Sequence, residues 1–413
     1  MAGNDNQNDR RYDVVVWGAS GFTGKLVTEY ILRKYGTDGD LRWAVAGRNP
    51  AKLDSLFSEL GISANELPVI ISDSFDSESI GGLARDTKVI LSTVGPYAKY
   101  GSVLVEACVK HGTHYCDLAG EVQWMRKMID QFQALAEVSG AKIVHSCGFD
   151  SIPSDIGVWF LQQEARKLNG EVCTEIKLLV KAMKGGASGG TFASMMNALE
   201  ESRRDRDIAR VLVDPYSLNP AGERNGPDGG DQRGVVLHED SGVWTAPFVM
   251  GTVNTRIVRR TNALLHYPYG RDFKYSEATM AGGGPSGWVK SAGMTAGLGA
   301  FMLVCSFGPG RSFLTRHVLP KPGEGPGKQQ REAGFFNLLL VGKLSDGSLI
   351  RARVTGDRDP GYGSTSKMLS ESAVCLANDD LPSKGGFWTP ASAMGDALQR
   401  RLVDNAGLTF DLI

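Results

Sequence analysis

Gly18, Gly21 and Gly24 recur at three-residue spacing in Gly18-Ala-Ser-Gly-Phe-Thr-Gly24. A turn of this kind suits a pyrophosphate. The first glycine makes the tight turn, the second lets the backbone approach the phosphates, and the third lets the following helix pack closely. Ser20, Phe22 and Thr23 complete the expected cradle, at a helix N-terminus whose N–H groups and dipole favour an anion. The alternative is a tight turn with no ligand. About thirty residues on stands Gly47-Arg48-Asn49, where an acidic residue would ordinarily hold a ribose 2′-hydroxyl. A guanidinium there suits a 2′-phosphate instead, so NADP(H) is favoured over NAD(H). The competing reading of Arg48 is a solvated turn residue.

Further candidates lie at predicted strand ends. Asp73 is placed either near an adenine or capping the next turn. Val94, Gly95 and Pro96 are expected along the nicotinamide half of a dinucleotide. Tyr97, Asp117 and Asp150 are the candidate proton donors, since a phenol can donate and a buried carboxyl can be tuned to do so. None belongs to a Tyr-x-x-x-Lys pair, because the position four after Tyr97 is Gly101. Gly190, Thr191 and Ser194 follow a glycine-rich run and are expected to line the substrate side, or to form a strand-to-helix turn with Thr191 as its cap. His111, His114 and Cys116 have no second ligand cluster, so no metal is expected. Cys147 with His145 and Asp150 does not read as a nucleophilic centre, because residues so close on an extended strand need not converge.

Positioning these residues requires alternating strands and helices. Val14–Trp17, Trp43–Ala46, Leu67–Asp73, Lys88–Val94 and Tyr115–Leu118 read as strands, with a sixth beginning near Ala141. Amphipathic helices lie between them, among them Lys25–Arg33, Ala51–Leu60 behind Pro50, Val103–His111 with Ser102 as its cap, and Gln123–Val138. Ser154 or Asp155 is expected to cap a helix over Ile156–Leu168. Beyond Glu171 the pattern changes. Val172–Met183, Gly234–His238, Phe335–Lys343 and Ser348–Thr355 read as strands, the last two joined by a hairpin at Asp346-Gly347. One helix is predicted over Phe192–Val211 and another after Thr389-Pro390.

Composition sets limits. The 413 residues exceed a usual single domain, so two are expected. A formal net charge of −1 gives no reason to expect nucleic acid as a partner. Six scattered cysteines without a CxxC pair read as reduced thiols of a cytoplasmic protein. Met1–Arg11 is polar, has no signal-like apolar core and is expected to be a disordered tail. The stretch 292–307 carries no charge and is glycine-rich. Three readings stay open for it: a buried helix or homodimer contact, the lining of an apolar substrate tunnel, and a peripheral contact with a membrane surface.

Together, Gly18–Gly24, Ala46-Gly-Arg48, Thr93-Val-Gly-Pro-Tyr97, Tyr115–Glu121 and Cys147–Asp155 resemble the saccharopine dehydrogenase-like oxidoreductases. Within that family the branch containing the trans-acting enoyl reductases of lipid and polyketide assembly is most similar. The resemblance implies an α/β protein: an N-terminal Rossmann doubly wound parallel sheet over 1–150, then an α+β domain of mixed or antiparallel sheet over 151–365, with a C-terminal helix in 366–413 returning to the first domain. The leading expectation is an NADP-dependent, enoyl reductase-like oxidoreductase that reduces a C=C or C=N bond of a small-molecule, apolar or lipid-linked substrate. The alternatives are an amino-acid imine reductase, for which Arg203, Arg204, Arg256 and Arg259 are available, and an inactive nucleotide-binding protein at lipid surfaces.

Overall fold

The computed structural model describes residues 9–63, 65–186, 189–320 and 323–413, apart from the side chain of Thr315. Of the polar tail expected over 1–11, residues 1–8 lie outside the described residues. So do two residues of the predicted glycine-rich loop, 187 and 188. Arg10 does not belong to a tail. Its buried guanidinium donates to Thr87 O at 2.6 Å and to Thr113 Oγ1 at 2.5 Å.

The described residues hold fourteen strands, numbered in chain order. The first seven are β1 (Tyr12–Trp17), β2 (Trp43–Gly47), β3 (Val69–Ile71), β4 (Thr87–Ser92), β5 (His114–Asp117), β6 (Lys142–Val144) and β7 (Glu175–Lys184). The rest are β8 (Val236–His238), β9 (Val243–Pro247), β10 (Lys274–Gly282), β11 (Phe335–Lys343), β12 (Leu349–Gly356), β13 (Gly386–Trp388) and β14 (Leu408–Leu412). They build two compact units. The first comprises the chain up to Ala119, Trp124–Phe149 and Tyr362–Ala406; the second comprises Gly120–Gln123, Asp150–Gly361 and Gly407–Ile413.

The first unit is a parallel sheet in the order β13-β6-β5-β4-β1-β2-β3. Every residue of β1 is buried, and its stretch Val14–Trp17 reads as continuous apolar sequence, as a central parallel strand must. Burying each valine of Val14–Val16 contributes about 1.5–3 kcal/mol. The order reverses between β1 and β4, the point where an open α/β sheet binds its ligand. Thr93 holds the two strand ends together, its N–H donating to Trp17 O at 3.0 Å. A late stretch of chain returns to this unit. Thr389 starts the helix Pro390–Ala406, its Oγ1 accepting from Ser392 N at 3.4 Å. Glu371, on the helix Thr365–Asn378, accepts from the hydroxyls of Tyr30 and Tyr35 at 2.7 and 2.6 Å and from Arg401 at 3.3 Å.

The second unit is a mixed sheet in the order β14-β12-β11-β7-β10-β9-β8. Among the described residues of this sheet, only β7 and β10 pair in parallel. The predicted hairpin joins β11 to β12, with Gly347 at φ +87 and its N–H on Leu344 O. Two buried helices, Ile152–Asn169 and Gly251–Leu264, belong to this unit.

Several local expectations are corrected. The helix predicted over Phe192–Val211 is two, Gly189–Arg204 and Arg206–Val213, because Asp205 leaves the helical conformation and caps the second through Asp207 N. Thr191 therefore lies inside the first helix and is not its cap. Ser102 does not cap its helix either; its hydroxyl accepts from Trp124 Nε1 at 3.0 Å. Neither Ser154 nor Asp155 is a cap, since that helix already begins at Ile152. The reading of 292–307 as a buried helix also fails. In the helix Gly284–Ser306 only Gly287, Ser291 and Cys305 are buried.

Candidate functional site

In the first unit β1 runs straight into the glycine turn. Gly18 has φ +86, and a Cβ there would lie 2.4 Å from Val94 Cγ2. A Cβ on Gly24 would lie 2.1 Å from Gly18 O, so the helix Phe22–Tyr35 can sit this close to the strand end only without a side chain. Gly21 differs. A Cβ there would meet only Gly18 O, at 3.3 Å, so its outer side is open. The helix has no acidic residue in its first turn, which leaves its N-terminus suited to phosphate. Ser20 and Thr23 flank this opening in the chain, and the ring of Phe22 meets Tyr362 edge-to-face at 5.0 Å.

At the end of β2, Arg48 is exposed, and no ion pair holds it among the described residues. Asn49 accepts from Lys52 N and caps the next helix, while Gly47 O accepts from Ser72 N. Asp73 closes its own turn, accepting from Phe75 N at 3.0 Å. Gly95–Pro96 is a cis peptide bond, following Val94. The open Gly21, the acid-free helix start and the unpaired Arg48 fit a dinucleotide carrying a 2′-phosphate.

Tyr97 and Asp117 are close neighbours beneath the surface of the same unit. The Tyr97 hydroxyl donates to Ser92 O at 3.1 Å, accepts from Leu118 N at 3.5 Å, and its ring stacks on Trp124 at 5.4 Å. Asp117 is fully buried. One carboxyl oxygen accepts from Ala119 N at 2.9 Å and Ser146 N at 3.1 Å, and the other meets His145 Nδ1 at 2.7 Å. Both side chains thus have structural partners. The Asp117–His145 pair joins the exit loops of β5 and β6, which a backbone bond from Cys147 N to Asp117 O reinforces. Ser146, at φ +62, turns the chain there.

Those two exit loops lead into the second unit, which holds Glu121, Asp150 and Ser194. Asp150 Oδ2 would lie 3.4 Å from a Cβ on Gly120. Asp150 is half-buried as a residue, yet its carboxyl is deep enough that desolvation raises it to about 7. Glu121, almost fully buried, accepts from the Ser194 hydroxyl at 2.8 Å. Gln123 donates to Glu201 at 3.1 Å and so fastens the helix Gly189–Arg204 to the segment 120–123, while Asn197, one turn back on the same helix, holds the other Glu201 oxygen at 2.9 Å. Gly190 and Thr191 are exposed in the first turn of that helix. Reading the sequence singled out Ser194 but not its acceptor. The partner lies 73 positions away, and Tyr362 is still further from Phe22, distances at which no local pattern gives a signal.

Two of the arginines able to bind a substrate carboxylate are committed elsewhere. Arg256 pairs with Asp231 and donates to Leu212 O, and Arg259 pairs with Asp228 and donates to Tyr275 O. Both are buried. Arg203 and Arg204 are exposed, with Arg204 paired to Glu200.

Residues 14–144 match the family model of the saccharopine dehydrogenase NADP binding domain, so the first unit carries an NADP-binding domain. A protein of Mycobacterium tuberculosis provisionally named a trans-acting enoyl reductase is 41% identical over 408 residues, covering 95% of this chain and 96% of its own. The trans-acting enoyl reductase of Mycobacterium ulcerans is 36% identical over 410 residues, with the same shares covered. Among solved structures, apo saccharopine dehydrogenase (L-Glu forming) from Saccharomyces cerevisiae is similar with a TM-score of 0.52, covering 97% of this chain and 99% of that one. Identity with it is 11%, so the likeness concerns the fold alone.

Proposed function

The chain belongs to the saccharopine dehydrogenase-like oxidoreductases, in the branch of the trans-acting enoyl reductases, and from that premise we propose that it reduces the C=C bond of an apolar, lipid-linked enoyl substrate with NADPH. The observation that carries this reading is the near full-length similarity to enoyl reductases in a chain whose glycine turn and Arg48 suit NADP. When bound, NADPH supplies the hydride. Gly18, Ser20, Gly21, Phe22, Thr23 and Gly24 would hold its pyrophosphate, Gly47, Arg48 and Asn49 its 2′-phosphate end, Asp73 its adenine side, and Val94, Gly95 and Pro96 its nicotinamide half.

Reducing a C=C bond also requires a proton at the neighbouring carbon. Asp150 is the strongest of the three candidates for this task. Its carboxyl is raised to about 7, where a general acid is best matched to neutral pH. Tyr97 and Asp117 serve instead as positioning groups, because their polar atoms already hold backbone and His145. Ser194, fixed by Glu121, with Gly190 and Thr191 beside it, would orient the substrate. An imine reductase would need free cationic groups for a substrate carboxylate, and the commitments of Arg256 and Arg259 weigh against it.

The test is a turnover assay in which purified protein receives NADPH and either a long-chain enoyl thioester or an amino-acid imine. Loss of nicotinamide absorbance with the enoyl thioester alone is expected. Turnover of the imine alone would overturn the substrate assignment. Tight NADPH binding with no turnover of either would favour an inactive nucleotide-binding protein.

A further inference from the structure

The helix Gly284–Ser306 is long and apolar enough, by length and composition, to cross a membrane, yet it lies mostly exposed. Its few buried positions tie it to the second unit. The Ser291 hydroxyl donates to Thr245 O at 2.7 Å, and a Cβ on Gly287 would lie 2.0 Å from Gly282 O. Further along, Phe301 meets Phe192 at 6.2 Å. Held by these contacts, the helix can rest on a lipid surface but would have to unpack to span one. Trp288, Val289, Met294, Leu303 and Val304 are exposed along it. Phe307 then leads to a second helix, Gly308–His317, which exposes Phe313. Leu303 is 72% exposed and Phe307 63%, unusual for large apolar residues concentrated in one run of a soluble surface.

Charge selects the occupant. Between Glu277 and Glu324 the sequence holds no acidic residue, and the two helices carry the basic residues Lys290, Arg311 and Arg316, in a chain of net charge −1. A second copy meeting this face through its own would bring the same positive charge. An anionic lipid surface would complement it, with Trp and Phe entering the headgroup boundary and the long basic side chains reaching the phosphates. Arg311 is 3.9 Å from Glu200, a long and partly exposed pair. We propose that the helices Gly284–Ser306 and Gly308–His317 form a docking surface for anionic membranes. This surface goes beyond the reduction reaction and stands without it.

The test is co-sedimentation of the full chain with vesicles of phosphatidylcholine alone or mixed with phosphatidylglycerol, alongside an NADPH titration of each sample. The native chain is expected to pellet with the anionic vesicles only. Leu303→Glu combined with Phe307→Glu should remain in the supernatant while binding NADPH as the native chain does. Arg311→Gln with Arg316→Gln should weaken vesicle binding roughly thirtyfold. No pelleting of the native chain, or equal pelleting with neutral vesicles, would overturn the proposal. So would a native dimer that the two glutamates dissociate in the absence of any vesicle binding. The titration reports the cofactor site independently, so failure of the surface and failure of the reductase reading are told apart.

Discussion

At Asp150 a single environment decides what the residue can do. Desolvation raises its carboxyl to about 7, so it keeps a proton at neutral pH that an exposed aspartate would lose. The sign follows directly. In the folded chain the proton is retained as pH rises past the ordinary aspartate range and lost near 7. Reduction that uses this proton should therefore decline above about pH 7. Asp150→Asn should lower kcat about 10²–10⁴-fold and remove that limb of the pH–rate profile, with little change in NADPH affinity. An unchanged profile in the variant would assign the proton to another group. Removing the carboxyl should also spare the fold the cost of ionising it, so the variant should unfold later than the native chain above pH 7. Arg48 makes a separate prediction. Arg48→Ala should weaken NADPH binding by about tenfold or more and leave NADH nearly unaffected, read by nicotinamide fluorescence. Arg48 was legible because its chemistry is local to the end of β2. The retained positions of Tyr97 and Asp117 were not, because their partners come from other strands and loops.

Among the elements, the turn between β1 and the helix Phe22–Tyr35 is the least tolerant. Gly24→Ala would place a Cβ 2.1 Å from Gly18 O, against backbone that cannot rotate away. The helix would have to shift, at a cost of about 1–3 kcal/mol, and the phosphate cradle would shift with it. Calorimetry should show a lowered Tm, and NADPH titration a loss of binding. Native-like affinity in this variant would mean that the turn does not hold the pyrophosphate. Both strand and turn could be read from sequence, since a buried strand is a continuous apolar run and a tight turn needs glycine. Helix ends were read less well. Asp205 has the chemistry of a cap, but so do many aspartates. Asp205 becomes one only where the chain turns extended, at φ −131, and its carboxylate accepts from Asp207 N.

At the scale of the whole molecule, NADPH should stabilise by mass action. A ligand that binds only the folded state at a hundred times its Kd adds about 2.7 kcal/mol. The unfolding transition that includes the first unit should rise in temperature with NADPH, and less with NADH at equal concentration. No shift with NADPH would contradict cofactor binding. The apolar stretch 292–307 illustrates what composition leaves open. An uncharged helix can be core, tunnel lining or surface, and its sequence is compatible with each. Its exposure is a tertiary fact, as is the commitment of Arg256 and Arg259 to Asp231 and Asp228.

What the sequence determined by itself was local. The glycine turn, the run of buried valines, Arg48 after β2, the Asp346-Gly347 hairpin and the Thr389-Pro390 helix start each follow from backbone sterics or hydrogen bonding within a few residues. Tertiary structure alone decided which distant groups meet. It brought Glu371 to Tyr30 and Tyr35, Tyr362 to Phe22 and Glu121 to Ser194, and it partly desolvated the Asp150 carboxyl. The physical reason is that burial and long-range pairing depend on how strands order themselves in a sheet. That order is set by the sum of many small packing energies and is not carried by any single stretch of chain.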